Sequence, residues 1–156
     1  DWEQRKLGEV AIITMGQSPN GKNYTENPKD HILVQGNADM KNGKVVPRIW
    51  TTQITKIADK NDIILSVRAP VGDVGTTAYP IVLGRGVAGV KGNNFIFQIL
   101  HKMKLMNFWR IYSTGSTFDS INSIDLRNAT VSVPILKEQE QIGTFLKNLD
   151  NTIALH

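Results

Sequence analysis

The sequence predicts an α+β fold: a mixed, mostly antiparallel sheet assembly of short strands, with one packed helix and a C-terminal projecting amphipathic helix. Two observations carry this expectation. Apolar runs of strand length recur between clusters of Gly, Pro, Asn and Asp through much of the chain, and apolar residues fall at helical spacing in two stretches nearer the C-terminus.

In chain order, Leu7 to Met15 reads as a strand rich in Val and Ile, closed by the turn Gly16-Gln17-Ser18-Pro19-Asn20-Gly21. A polar loop with Lys22, Asn23 and Tyr24 follows. Further strand-length runs are Ile32-Leu33-Val34-Gln35, Lys44-Val45-Val46-Pro47, Ile63 to Val67, Val74 to Tyr79 and Gly86 to Val90. Asn42-Gly43 suits a type I′ hairpin between Asp39-Met40-Lys41 and Lys44, because both central positions of that turn need positive φ. Phe95-Ile96-Phe97-Gln98-Ile99 reads as one more strand. Leu105, Phe108, Trp109 and Tyr112 then predict a helix over Lys102 to Tyr112. Ser123 is placed to N-cap a short helical turn, and Ala129 to Val133 returns to strand before Pro134. From Lys137 onward, Ile142, Phe145, Leu146, Leu149 and Ile153 form an apolar stripe on a polar helix, with Glu138 and Glu140 near its positive end.

A chain of 156 residues with 40% hydrophobic content can close one core, which predicts a single globular domain. No apolar run approaches the ~18 to 20 residues of a membrane span. The charged start Asp1-Trp2-Glu3-Gln4-Arg5-Lys6 lacks the apolar stretch of a signal peptide. With no Cys there is no disulfide framework, Cys-ligated zinc, iron–sulfur cluster or thiol nucleophile, so the expectation is a cytoplasmic protein without a membrane partner.

Charge is unevenly spread beneath the net of +4. Residues 1–30 carry four basic and five acidic groups, residues 31–110 eleven and four, and residues 111–156 three and five. The middle is therefore +7, between flanks of −1 and −2. Such a segment fits either a polyanion-binding face, where counterion release supplies affinity, or an ordinary solvated surface.

Catalytic patterns find little support. Gly84-Arg85-Gly86-Val87-Ala88-Gly89 spells a dinucleotide-binding pattern, but Gly92-Asn93-Asn94 interrupts the helix it needs, and Lys104 stands where an acid belongs. A glycine-rich strand or turn is the simpler reading. Asp30 with Asp39-Met40-Lys41 resembles the acids and lysine of a Mg²⁺-dependent nuclease, although Asp39 and Lys41 sit beside a hairpin tip. His31, His101 and His156 are scattered, so no metal site is expected. Ser18 lies outside any nucleophile elbow, and no Asn-Pro-Pro-aromatic tetrapeptide marks an adenine methyltransferase.

Binding residues are more plentiful. Lys, Arg, Asn and Gln can contact phosphates and the edges of bases, and they cluster with Ser and Thr in loops. The candidates are Lys22, Asn23, Tyr24, Gln35, Asn37, Lys41, Lys44, Arg48, Arg68, Arg85, Ser116 and Thr117. For any one of them the turn preference of polar residues is an economical alternative, and the ensemble is what suggests a surface.

A series of short motifs now stands in order: Trp2 with Lys6-Leu7-Gly8-Glu9, Gly16-Gln17-Ser18-Pro19, Asp62 through Arg68-Ala69-Pro70-Val71-Gly72-Asp73-Val74-Gly75, Gly84-Arg85-Gly86-Val87-Ala88, Gly115-Ser116-Thr117-Phe118, and Val133-Pro134-Ile135-Leu136-Lys137-Glu138-Gln139. In that order they resemble the target-recognition domains of type I restriction-modification specificity subunits, across essentially the whole chain. A common Pro-Pro is here Pro134-Ile135. The resemblance implies a non-catalytic domain at 1–136 that reads one half of a two-part DNA sequence, followed at 137–156 by the start of a spacer and dimerisation helix. It implies double-stranded DNA and methyltransferase subunits as partners, and through the latter the restriction subunit. It places S-adenosylmethionine on the methyltransferase partner and no cofactor on this chain. Shared-motif residues are then structural, readout falls to polar loop residues between them, and Arg68 serves either a phosphate contact or a buried ion pair.

In the terminal helix, Ile142, Leu146, Leu149 and Ile153 advance by 4, 3 and 4 positions, the spacing of a coiled-coil seam. Phe145 widens the stripe toward the domain, so the first two turns can fold back, while Leu149 and Ile153 await a partner helix, from a second copy or a second domain. A non-DNA protein-interaction domain built on this helix is the remaining alternative.

Overall fold

The computed structural model describes residues 1–112 and 120–154, and it is α+β in three layers. The strands are β1 (Glu3–Lys6), β2 (Ile12–Met15), β3 (Tyr24–Thr25), β4 (His31–Val34), β5 (Met40–Lys41), β6 (Lys44–Val45), β7 (Trp50–Thr51), β8 (Ile57–Ala58), β9 (Ile63–Ser66), β10 (Val74–Thr76), β11 (Ile81–Leu83), β12 (Val87–Lys91) and β13 (Thr130–Val133). The helices are α1 (Leu7–Val10), α2 (Asn94–Leu105), α3 (Ser123–Asn128) and α4 (Leu136–Ala154).

A six-stranded sheet, β2-β12-β9-β10-β6-β5, lies between the helices and a five-stranded sheet, β3-β7-β4-β11-β8. The alternation of side chains along its central strands explains why. Ile63, Leu65 and Val67 point one way, into a core with Phe95, Ile96 and Leu100 of α2 and Leu126 of α3. Ile64 points the other way, among Val34, Ile81 and Leu83 of the five-stranded sheet. A strand covered on both faces needs apolar residues at every position, which is how Ile63-Ile64-Leu65 reads. β12 repeats the device: Ala88 and Val90 enter the helical core, and Val87 enters the other. Pairing is antiparallel except between β6 and β10 and between β4 and β11.

The predicted hairpin is present, with φ of +54° at Asn42 and +74° at Gly43 between the paired strands β5 and β6. Other elements differ from expectation. Leu7 to Met15 is not one strand: the Lys6 amide donates to Glu9 Oε1 at 2.8 Å, the carboxylate of the third helical residue reaching back to the helix start, and a helical turn precedes β2. That bond, with Arg5 nearby, holds the Glu9 carboxyl below its ordinary value. Phe95 to Ile99 is helix, because Asn93 Oδ1 accepts the Ile96 amide at 3.0 Å and starts α2 there. Its β-type composition yields to the helical spacing of buried Phe95, Ile96, Leu100 and Met103. The helix then ends at Leu105, Asn107 turns with φ +55°, and Phe108–Tyr112 is a separate 3₁₀ turn. Asn122, and not Ser123, caps α3 through the Asp125 amide at 2.8 Å.

The C-terminal helix starts at Leu136 and packs along α2. Gly143 permits the approach: a Cβ there lies 2.6 Å from the Phe95 amide nitrogen. Buried Gln139 donates to the Pro134 carbonyl at 3.0 Å and accepts from Asn93 at 3.1 Å, which ties the helix start to the cap of α2. Gln98 Nε2 donates to Asp150 Oδ2 at 2.8 Å further along. Phe145, expected to turn toward the domain, is 66% exposed, since Gly143 and Gln139 occupy the face against α2.

Three glycines close the sheets backbone to backbone. A Cβ at Gly16 sits 1.8 Å from the Gly84 carbonyl oxygen and 2.7 Å from that of Val87; one at Gly86 sits 2.1 Å from that of Gln35. Gly16→Ala is therefore expected to destabilise by about 1–3 kcal/mol or more, as overpacking against main chain does. Gly21→Ala, where nothing lies within 4 Å, should stay within about 0.5 kcal/mol of the parent. Urea unfolding of the two variants checks the contrast.

Candidate functional site

The topology brings distant loops to one rim. β2 and β9 both run antiparallel to β12, so their ends meet its start, with Met15 opposite Ala88 and Ser66 opposite Val87. β11 runs parallel to β4, with Leu83 beside Val34, and Gly84-Arg85-Gly86 then links β11 to β12. The loops that leave β2, β4, β9 and β11 converge there on an open cleft of about 290 Å³. Ser18, Gln35, Asn37, Arg68 and Arg85 line it. Four of the sequence candidates, spread from position 35 to position 85, are thereby neighbours. In the glycine pattern at 84–89, Gly84 and Gly86 are explained by main-chain packing on Val34 and Gln35, and Gly89 by the Leu83 and Ala58 side chains, and not by a phosphate cradle.

The charges of the positive middle segment are sorted by this architecture. Of its four acids, Asp59 and Asp62 sit at the opposite end of β12 from the cleft, where both bind Lys91 Nζ, at 2.5 and 2.9 Å, and hold its ammonium above the ordinary lysine range. Asp73 accepts from Asn37 Nδ2 at 3.2 Å and lies 3.4 Å from Lys104 Nζ. Asp39 is 1% exposed, and its carboxylate accepts the Gln35 amide at 2.6 Å, the Gly36 amide at 3.3 Å and the Nε of Arg48. Arg68 and Arg85 face solvent, so Arg68 is not in a buried ion pair.

Other candidates join through side-chain bonds. Gln35 Nε2 donates to the Tyr24 hydroxyl at 3.0 Å. Asn23 Nδ2 donates to Gln53 Oε1 at 2.8 Å, and the Asn20 amide donates to the same oxygen at 2.9 Å. Lys22 is exposed on the 3₁₀ turn Gly21–Asn23, capped by Asn20. Lys41 and Lys44 are exposed directly opposite each other at the hairpin, a like-charged pair that costs stability. Ser116 and Thr117 lie outside the described residues. Sequence reasoning missed Gln53, Asp73 and Lys104, whose partners across the site are 30 or more positions away and leave no local signal.

The nuclease arrangement is corrected by the same contacts. Asp39 is spent on two backbone amides and Arg48, and Asp30 accepts from Thr25 Oγ1 at 2.7 Å within its own turn. Among the described residues no group of three His, Cys, Asp or Glu is placed to hold a metal ion.

The family model for the type I restriction modification DNA specificity domain matches residues 1–156. A protein of Methanocaldococcus jannaschii, the putative type I restriction enzyme MjaX specificity subunit, is 34% identical over 163 residues, covering 99% of this chain and 38% of its own length. A chain from a structure of the type I R-M system, solved for its complex assembly and conformational transition, superposes with a TM-score of 0.85 at 31% identity, over 99% of this chain and 39% of that one. The HsdS subunit from Thermoanaerobacter tengcongensis gives a TM-score of 0.81 at 30% identity, over 99% and 38%. The chain thus spans about two fifths of the length of these relatives.

Lys44→Glu converts the like-charged pair with Lys41 into an attractive one, and it is expected to stabilise the fold by about 0.2–1 kcal/mol, less at high salt. Thermal melts at low and high ionic strength measure it.

Proposed function

The chain belongs to the type I restriction modification DNA specificity domain family, and from that membership we propose that it reads one half of a two-part sequence in double-stranded DNA. The observation that carries this reading is the cleft where Gln35, Asn37, Arg68 and Arg85 meet, with Asp59 and Asp62 held at the far end of β12, Asp39 buried, and Asp73 bound to Asn37 and beside Lys104. Arg can pair with guanine, and Asn or Gln with adenine, through two hydrogen bonds each. Lys22, Lys41, Lys44 and Arg48 are exposed and supply cations for phosphates. Asn23 and Tyr24 support the cleft through their bonds to Gln53 and Gln35. The domain itself is a recognition part. Methyltransferase subunits carrying S-adenosylmethionine, and through them the restriction subunit, supply the chemistry.

The terminal helix fits the same role. Ile142 and Leu146 are partly covered by the domain, whereas Leu149 (45%) and Ile153 (65%) are exposed and continue one stripe with Phe145. In a longer helix this stripe pairs with a second helix and fixes the distance between two DNA-reading domains.

Two measurements test this. Lys41→Gln with Lys44→Gln should weaken binding to random and selected duplexes alike, and lower the slope of log affinity against log salt by about 0.9 for each phosphate no longer neutralised. Unchanged affinity in fluorescence anisotropy titrations removes the hairpin from the DNA. For the helix, sedimentation of a chain lengthened by several heptads should show dimers that Leu149→Asp with Ile153→Asp abolishes. Identical monomers in both refute the seam.

A further inference from the structure

Asp39 sits where two parts of the proposed DNA surface meet. Its Oδ2 accepts the amides of Gln35 and Gly36, at the turn that carries Gln35 and Asn37 into the cleft. Its Oδ1 accepts Nε of Arg48, whose side chain is 59% exposed. A guanidinium bound through Nε still presents both terminal nitrogens outward, the fork that matches a phosphate. The Asp39 carbonyl also accepts the Val46 amide at 2.8 Å, so the same residue fastens the strand after the Lys41–Lys44 hairpin. A carboxylate this deeply buried is costly unless fully bonded, and all its bonds go to these two elements.

We infer that Asp39 is a positioning residue for sequence readout: it couples the phosphate-facing Arg48 to the turn bearing Gln35 and Asn37, so that docking on the backbone sets the base-reading side chains in register. This rests on the DNA-reading proposal above. Asp39 itself touches no DNA. Its effect passes through Gln35 and Asn37, whose side-chain nitrogens donate to Tyr24 and Asp73 and whose amide oxygens, among the described residues, have no donor and can accept from a base edge.

The test compares the affinity of the whole chain for a duplex selected from a randomised library with its affinity for a scrambled duplex. Asp39→Asn keeps the size of the side chain but weakens its hold on the amides and on Arg48. Arg48→Lys keeps the charge and removes Nε together with the fork. Each should lower the ratio of the two affinities roughly tenfold, the scale of discrimination that one base pair supplies. A structural role alone lowers both affinities by one factor and leaves the ratio as it was, which overturns the coupling, as does an unchanged ratio at undiminished affinity. Should Asp39→Asn fail to give a cooperative melt, the exposed Arg48→Lys decides the matter alone. A parent chain that does not favour its selected duplex sinks the DNA-reading proposal itself. A parent that discriminates, with variants that discriminate equally, sinks only the role of Asp39.

Discussion

Burial of β9 and β12 on both faces is the constraint from which the rest of the molecule follows. Once Ile63 and Leu65 are committed to the helices and Ile64 to the second sheet, neither broad face of the central sheet is open to a ligand. Each fully buried side chain of this kind contributes roughly 1.5–3 kcal/mol, so these faces stay closed. What remains accessible is the rim, and the strand directions decide which loops share it. The cleft proposed for recognition thus lies at the ends of β2, β4, β9 and β11, placed there by the same packing that makes the fold.

The rim is polar in a selective way. Asp59 and Asp62 neutralise Lys91 at the far end of β12, while Asp39 is turned inward onto main-chain amides. These three carboxylates are thereby kept from opposing Arg68 and Arg85, while Asp73 stays at the rim, bound to Asn37 and beside Lys104. The fold thus redistributes a modest positive excess in the sequence, because a surface field depends on where charges are placed as well as on their sum.

Legibility in the sequence follows the range of the signals. The Asn42-Gly43 hairpin and the apolar run at β9 are local, and both appear as expected. The segment Phe95 to Ile99 misleads because aromatic and β-branched residues suit a strand, while the decisive Asn93 cap is a single polar residue before it. Helix α4 is visible from its stripe, and Ile142 packs against the core as the stripe predicts, yet the rest of its contact face is built from Gly143 and Gln139, which no hydrophobic pattern marks. Individual cleft residues can be picked out by their chemistry. Their assembly is out of reach, because it depends on strand order linking positions 18, 35, 68 and 85. Asp39 shows the reverse error: the acid-x-lysine spacing looks catalytic, and burial gives it a structural use.

The walls of the cleft have a different kind of consequence. Where Gly16 meets Gly84 and Val87, and Gly84 and Gly86 meet Val34 and Gln35, the packing is mainly main chain on main chain, and exposed Arg68 and Arg85 stand at its edge. At these contacts the shape of the rim does not depend on the exposed arginines beside them. Replacing an exposed Arg68 or Arg85 changes what the surface can recognise without reopening the core, since solvent-facing substitutions usually shift stability by no more than about 0.5 kcal/mol. Recognition and foldedness are therefore nearly separable variables in this architecture. The glycines carry the constancy and their exposed neighbours carry the freedom to change.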